Sequence, residues 1–272
     1  MRTAELAVSD LALVRRLEAA ELRVSENCVL AWLAAHPDSS TVAEPVAGGC
    51  AIFFGAASPL SQAICVGMDG PVTEEEFARL EAFFDARGTP PVVSLCPFAD
   101  PTVLDRLSRR RYRITHFEHT LIRGLEDVPA IPPGPHVRAI EPAEAAIWTS
   151  IVMSGFADGG AAPPEISGMF QVFTQAPAAR CYLAEVNGAP AGGASASFAG
   201  GIAVFYCDAT LPPYRLHGAQ SALIARRLRD ARSAGCEIAM ASTYPGTASQ
   251  RNYERAGFRV AYTKAMLTRD GL

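Results

Sequence analysis

The sequence predicts an α/β (α+β) protein built as two tandem domains, each a mostly antiparallel mixed sheet flanked by helices. Two observations predict it. Apolar residues recur at helical spacing and at strand spacing in alternating segments along the whole chain. The run EDVPAIPPGP at 126–135 then interrupts both patterns, because four prolines in so short a stretch continue neither a helix nor a central strand. The expected organisation is therefore a domain over 1–125, a linker over 126–135 and a second domain over 136–272. With 272 residues, 49% of them hydrophobic, the chain has apolar material for two cores.

In the first half, Leu11, Val14, Leu17, Leu22 and Leu30 place one or two helices between Ser9 and Ala35. Strands follow at 48–54 and 63–66, on either side of a turn at Ser58-Pro59. Thr73 before Glu74, Glu75 and Glu76 is a helix N-cap with acids in the first turn, where the helix dipole favours them. That helix stops at Gly88; a strand at 92–95, a helix at 101–110 and a strand at 112–122 complete the half.

The second half opens with a strand at 136–140 and a helix at 142–156, then the loop ADGGAAPP and a further helix at 165–173. A meander is expected from 180 to 210, with Asn187-Gly188 as its first hairpin turn. After Gly218 comes a long helix closed by Gly235. A strand at 238–243, a short helix at 249–255 and a final strand pair end the chain. The two halves close on the same succession: helix, glycine, strand, short helix, then Arg111-Tyr112 in one and Gly257-Phe258 in the other. This reads as a duplication.

Composition narrows the function. A net charge of −4 without a basic arm argues against a nucleic-acid partner. No apolar stretch is long enough for a membrane span, and the N-terminus has no signal-peptide core, so a cytoplasmic protein, monomer or homodimer, is expected. Seven scattered cysteines, most of them in apolar runs, read as buried free thiols of a reducing compartment. His116 and His119 lie three apart in a strand and so face opposite ways, and no metal site is expected.

The chemistry concentrates in CDATLPPYRLHGAQSALIARRLRDARSAGC. A strand ends near Leu211, two prolines turn the chain, and a helix starts at Gly218. Amides at a helix start have no partner within the helix, and the dipole adds positive charge, so a pyrophosphate suits this turn. Gly218 lets the backbone approach closely, and Arg215 adds a guanidinium.

Arg215-Leu216-His217-Gly218-Ala219-Gln220 resembles the acyl-CoA signature R/Q-x-x-G-x-G/A of the GNAT acyltransferase superfamily, with Leu216 in place of the common Gly and Gln220 in place of the last small residue. Tyr253-Glu-Arg-Ala-Gly257-Phe258 resembles the Y-E-K-L-G-F block of that family, in which the Tyr protonates the leaving thiolate. The family's Asn seven positions before that Tyr is Gly246 here, and Ser249 and Asn252 are its candidate substitutes. The resemblance implies an acetyl-CoA-dependent N-acetyltransferase acting on a small-molecule or peptide amine. Ala209, Thr210 and Leu211 would run along the pantetheine, with Arg215 through Ser221 at the phosphates. A backbone amide near Thr210 would hold the oxyanion, Tyr253 would be the acid, and Asp208 or Glu185 the base. Plainer accounts stand beside these: a helix-entry glycine, a core tyrosine, carboxylates that pair with arginines. A non-catalytic acyl-CoA-binding regulator or interaction protein of the same fold is the alternative. The first half has no such signature, and its three acids at 74–76 would repel a pyrophosphate, so it reads as a degenerate copy.

Overall fold

The computed structural model describes residues 10–56, 58–128, 134–158 and 170–269. Most of the loop at 158–164, most of the helix expected at 165–173 and half of the proline-rich run lie outside them. The contacts divide the chain into two units, Met1–Thr120 with Val260–Leu272, and Leu121–Arg259. This division cuts the chain differently from the proline run, because the last strand packs with the first unit.

Unit 1 begins with a single helix, α1 (Leu11–Ala35), capped by Asp10, whose carboxylate accepts from the Ala12 amide at 2.9 Å. There follow β1 (Val42–Val46), β2 (Gly49–Phe53), β3 (Gln62–Ile64), α2 (Glu74–Asp85), β4 (Val92–Leu95), α3 (Pro101–Arg109) and β5 (Arg113–Gly124). The C-terminal β11 (Arg259–Thr268) pairs antiparallel with β4, giving the order β1-β2-β3-β4-β11-β5. In place of the expected final strand pair there is one continuous strand, since 259–268 holds no Gly, Pro, Asn or Asp to turn it. Phe77, Leu80 and Phe84 of α2 are fully buried in the core of this unit with Val93, Val103 and Leu107.

Two features of unit 1 decide what it can do. Thr73 and Glu76 close a capping box, with the Thr73 amide donating to Glu76 at 2.8 Å, and Glu74 pairs with Arg106 at 3.1 Å and with Arg110. The start of α2 is thus capped by the protein's own Thr73 and Glu76 side chains. Deeper in, Lys264 donates to Glu18 and Glu21 at 2.8 Å each, and the Tyr262 hydroxyl donates to Glu18 at 2.6 Å. Burial opposes the Lys264 charge, but Glu21 and Glu18 outweigh it and hold the ammonium well above its usual pKa.

Unit 2 contains β6 (His136–Ala139), α4 (Ala145–Phe156), β7 (Ala179–Val186), β8 (Ala189–Ala199), β9 (Ile202–Thr210), α5 (Ala219–Ser233), β10 (Ile238–Thr243) and α6 (Ala248–Arg255). Its strands run in the order β10-β9-β8-β7-β6, antiparallel except for β10 beside β9. Small residues let the helices approach this sheet. A Cβ on Gly193 would stand 2.8 Å from Val152 of α4, and Trp148 of α4 donates its indole N–H to the Tyr182 and Ala194 carbonyls. Ala194, Ala196 and Ala203 pack in the same core as Ala222, Leu223 and Leu228 of α5. Both units therefore have the mixed α/β architecture that the sequence predicts. They also share a detail: a cysteine with left-handed backbone sits at or near the end of the strand before the key helix, Cys65 at φ 59° and Cys207 at φ 58°.

All seven cysteines are free thiols, six of them buried and Cys207 partly exposed. Burial raises the thiols of Cys50 to about 11 and of Cys96 and Cys181 to about 12, and raises Cys65 and Cys236 as well. A thiol whose folded pKa is raised keeps its contribution below the unfolded value and loses it as pH climbs from there to the folded value. Stability should therefore be level to about pH 8.5 and then fall by about 1.4 kcal/mol per pH unit for each such thiol. Urea unfolding midpoints at pH 7.5 and 10 test this; equal midpoints would contradict it.

Candidate functional site

The site grows out of an irregularity in β9. Against β8, Ser195 faces Tyr206 while Gly193 faces Ala209, so β9 carries one extra residue, and the left-handed Cys207 marks the bulge. The parallel pairing with β10 ends at Phe205 opposite Ala241, while β9 continues to Thr210. The strands part there. The Leu211 amide donates back to Ala191 at 2.9 Å, a 3-10 turn follows at Pro212–Tyr214, and Arg215 is extended.

Gly218 then opens α5 at φ 83°, with no side chain capping the helix. An L side chain is strained in that conformation, and glycine is not. The first-turn amides have no intrahelical partner, and Gly218, Ala219, Gln220 and Ser221 line a cavity of about 660 Å³. Asp208, Ala209 and Thr210 from β9, Arg215 and Leu216 from the turn, and Asn252 from α6 line it as well.

The other residues that the sequence singles out stand elsewhere. His217 lines a separate depression with Pro135, His136 and Glu185, and its Nδ1 lies 2.9 Å from the Arg215 carbonyl. Glu185 itself accepts from Arg138 at 3.1 Å. Leu211 and Ser249 are not among the lining residues; Ser249 accepts from Gln220 at 3.4 Å. Tyr253 is only 1% exposed. The lining also includes Gly155, Tyr214, Ala248 and Arg251, which no motif in the sequence marks, and Arg255, which stands inside the Tyr253–Phe258 block with no role assigned to it there. Arg251 and Arg255 do carry a readable signal, since a spacing of four puts both on one face of a helix.

Behind the cavity wall lies a buried polar triad. Arg227 is fully buried; its guanidinium grips Asp208, with Nη1 donating to Oδ2 at 3.0 Å and Nη2 to Oδ1, and Nη1 also donates to the Ser195 carbonyl at 2.9 Å. The Tyr253 hydroxyl donates to the same Oδ2 at 2.8 Å. Burial opposes the charge on Arg227, but Asp208 and Tyr253 prevail and raise its pKa, so it stays cationic. Burial lifts the Tyr253 phenol well above its usual value; Arg227 pulls it down and Asp208 adds to the rise. Tyr253 is therefore a neutral donor that reaches the cavity through the Asp208 carboxylate.

A splayed parallel strand pair, a bulge, and a left-handed glycine that opens an uncapped helix together form one wall of this cavity. Residues 147–258 match the model of the Acetyltransferase (GNAT) family. Among solved structures, a GCN5-related N-acetyltransferase from Kribbella flavida is similar over 99% of this chain and 98% of its own, at 18% identity and a TM-score of 0.70. A GNAT-family protein from Novosphingobium aromaticivorans covers 89% of this chain and 97% of its own, at 20% identity and a TM-score of 0.54. A tandem GNAT protein from the clavulanic acid biosynthesis pathway covers 76% and 73%, at 14% identity and a TM-score of 0.52. These likenesses concern the fold. A comparison with curated proteins found no match. Among the described residues, no helix is long and apolar enough to cross a membrane.

Proposed function

We propose that unit 2 transfers an acetyl group from acetyl-CoA directly to an amine, small-molecule or peptide, in the cytoplasm. One observation carries this reading. The uncapped first turn of α5 and the guanidiniums of Arg215, Arg251 and Arg255 border one cavity, and the free end of β9 and Asp208 border the same cavity. The first group suits a polyphosphate and the second a thioester. In unit 1 the matching helix start carries three acids, Glu74–Glu76, and is closed by the Thr73–Glu76 capping box, and we assign that unit no coenzyme.

In the proposed reaction the amine nitrogen attacks the thioester carbon, and the oxyanion takes a hydrogen bond from a backbone amide near Thr210. Asp208 borders the cavity, placed to take a proton from the cationic nitrogen of the tetrahedral intermediate. Asp208 takes that proton, the C–S bond breaks, and one proton returns to the sulfur. Tyr253 supports the transfer from behind Asp208 instead of touching the sulfur. Tyr253→Phe should then lower kcat by about 10- to 100-fold and leave acetyl-CoA affinity nearly unchanged. Equal losses in both would count against the role.

The reading itself is tested by thiol release from acetyl-CoA across an amine library. Turnover with at least one amine class is expected. Tight coenzyme binding without transfer to any of them would favour a non-catalytic regulator.

A further inference from the structure

We propose that Arg251 and Arg255 recognise the 3′-phosphate of the coenzyme, so that the domain selects 3′-phosphorylated CoA thioesters over dephospho-CoA thioesters. The inference rests on the reading of the cavity as an acyl-CoA site, and it goes beyond it by assigning two residues and a selectivity.

Five of the eleven arginines of unit 2 face a carboxylate: Arg138 with Glu144 and Glu185, Arg180 and Arg226 with Asp230, Arg215 with Asp158, Arg227 with Asp208. Arg251 and Arg255 have no carboxylate partner among the described residues. Arg251 donates to the Gly246 carbonyl at 2.8 Å, and Arg255 donates to the Asn252 side-chain oxygen. The acid of the same helix, Glu254, accepts from Gln250 at 2.8 Å. Two like charges one helical turn apart destabilise each other, and here both border the cavity.

The helix that carries them is tied to the phosphate turn. Asn252 donates to Gln220 of the first turn of α5, and Gln220 donates to Ser249 at 3.4 Å. Gln220, where the family pattern has a small residue, thus ties the first turn of α5 to the helix that carries the two arginines. A pyrophosphate matches the amides at 219–221. Two further cations on the same cavity match a second, separate dianion on the same ligand, and CoA carries one on its ribose.

Isothermal titration of the whole chain with CoA and with 3′-dephospho-CoA tests this, on the wild type and on Arg251→Ala, Arg255→Ala and the double variant. The wild type should bind CoA roughly tenfold or more tighter than dephospho-CoA. The double variant should lose that preference by weakening toward CoA alone. Equal wild-type affinity for the two ligands would overturn the assignment while leaving the acyl-CoA reading intact. So would a double variant that weakens toward both equally, which would place the arginines on the pyrophosphate. Binding of neither ligand by the wild type would sink the acyl-CoA reading and this inference with it.

Discussion

Arg227→Met is expected to destabilise the protein by about 3–5 kcal/mol and to abolish turnover, because it strands Asp208 beside a cavity wall with its counter-charge gone. Arg227 is fully buried, and the Asp208 side chain is only 8% exposed, so solvent screens the lost guanidinium poorly. The Ser195 carbonyl loses a donor in the same substitution. The double variant Arg227→Met/Asp208→Asn should recover part of the stability, since the uncompensated charge is then removed as well, but none of the activity. Urea denaturation of the two variants against the wild type measures this. A loss under about 1 kcal/mol for the single variant would mean that the pair behaves as a solvated one.

Gly218→Val is expected to cost acetyl-CoA affinity by about 10- to 100-fold, the equivalent of the strain that a β-branched residue meets in left-handed backbone. Space is not the obstacle, since a Cβ there would meet only Pro135 Cδ at 3.6 Å. The obstacle is φ 83°, which valine avoids by rotating the turn and taking the first amides of α5 out of line. Gly218→Asn is the informative control, because asparagine tolerates the left-handed region, and it should lose far less. Valine binding the coenzyme as well as glycine does would remove this turn from the site.

What is legible in the sequence follows from how local each feature is. Thr73 and Gly218 announce the starts of α2 and α5, because capping and left-handed backbone are decided within a few residues. The strand β1 escapes notice: its five residues include Pro45 and little alternation, which an edge strand tolerates. The bulge at Cys207 is invisible, because a bulge is a mismatch between two strands and no single strand records it. The family resemblance puts Tyr253 at the sulfur, yet the ring is packed edge-on against Phe258, with its hydroxyl on Asp208. The motif marks the residue, but where its ring packs depends on how α6 turns against the sheet. The grip of Arg227 on Asp208, nineteen positions away, depends likewise on the docking of α5 over β9.

Isothermal titration of acetyl-CoA into the whole chain tests the central claim most directly. One coenzyme per chain is expected, with the single site lost from Gly218→Val. No heat at millimolar coenzyme, or two equivalent sites per chain, would contradict it: the first would deny the α5 turn its ligand, the second would restore a site to the unit whose matching turn is filled with glutamates.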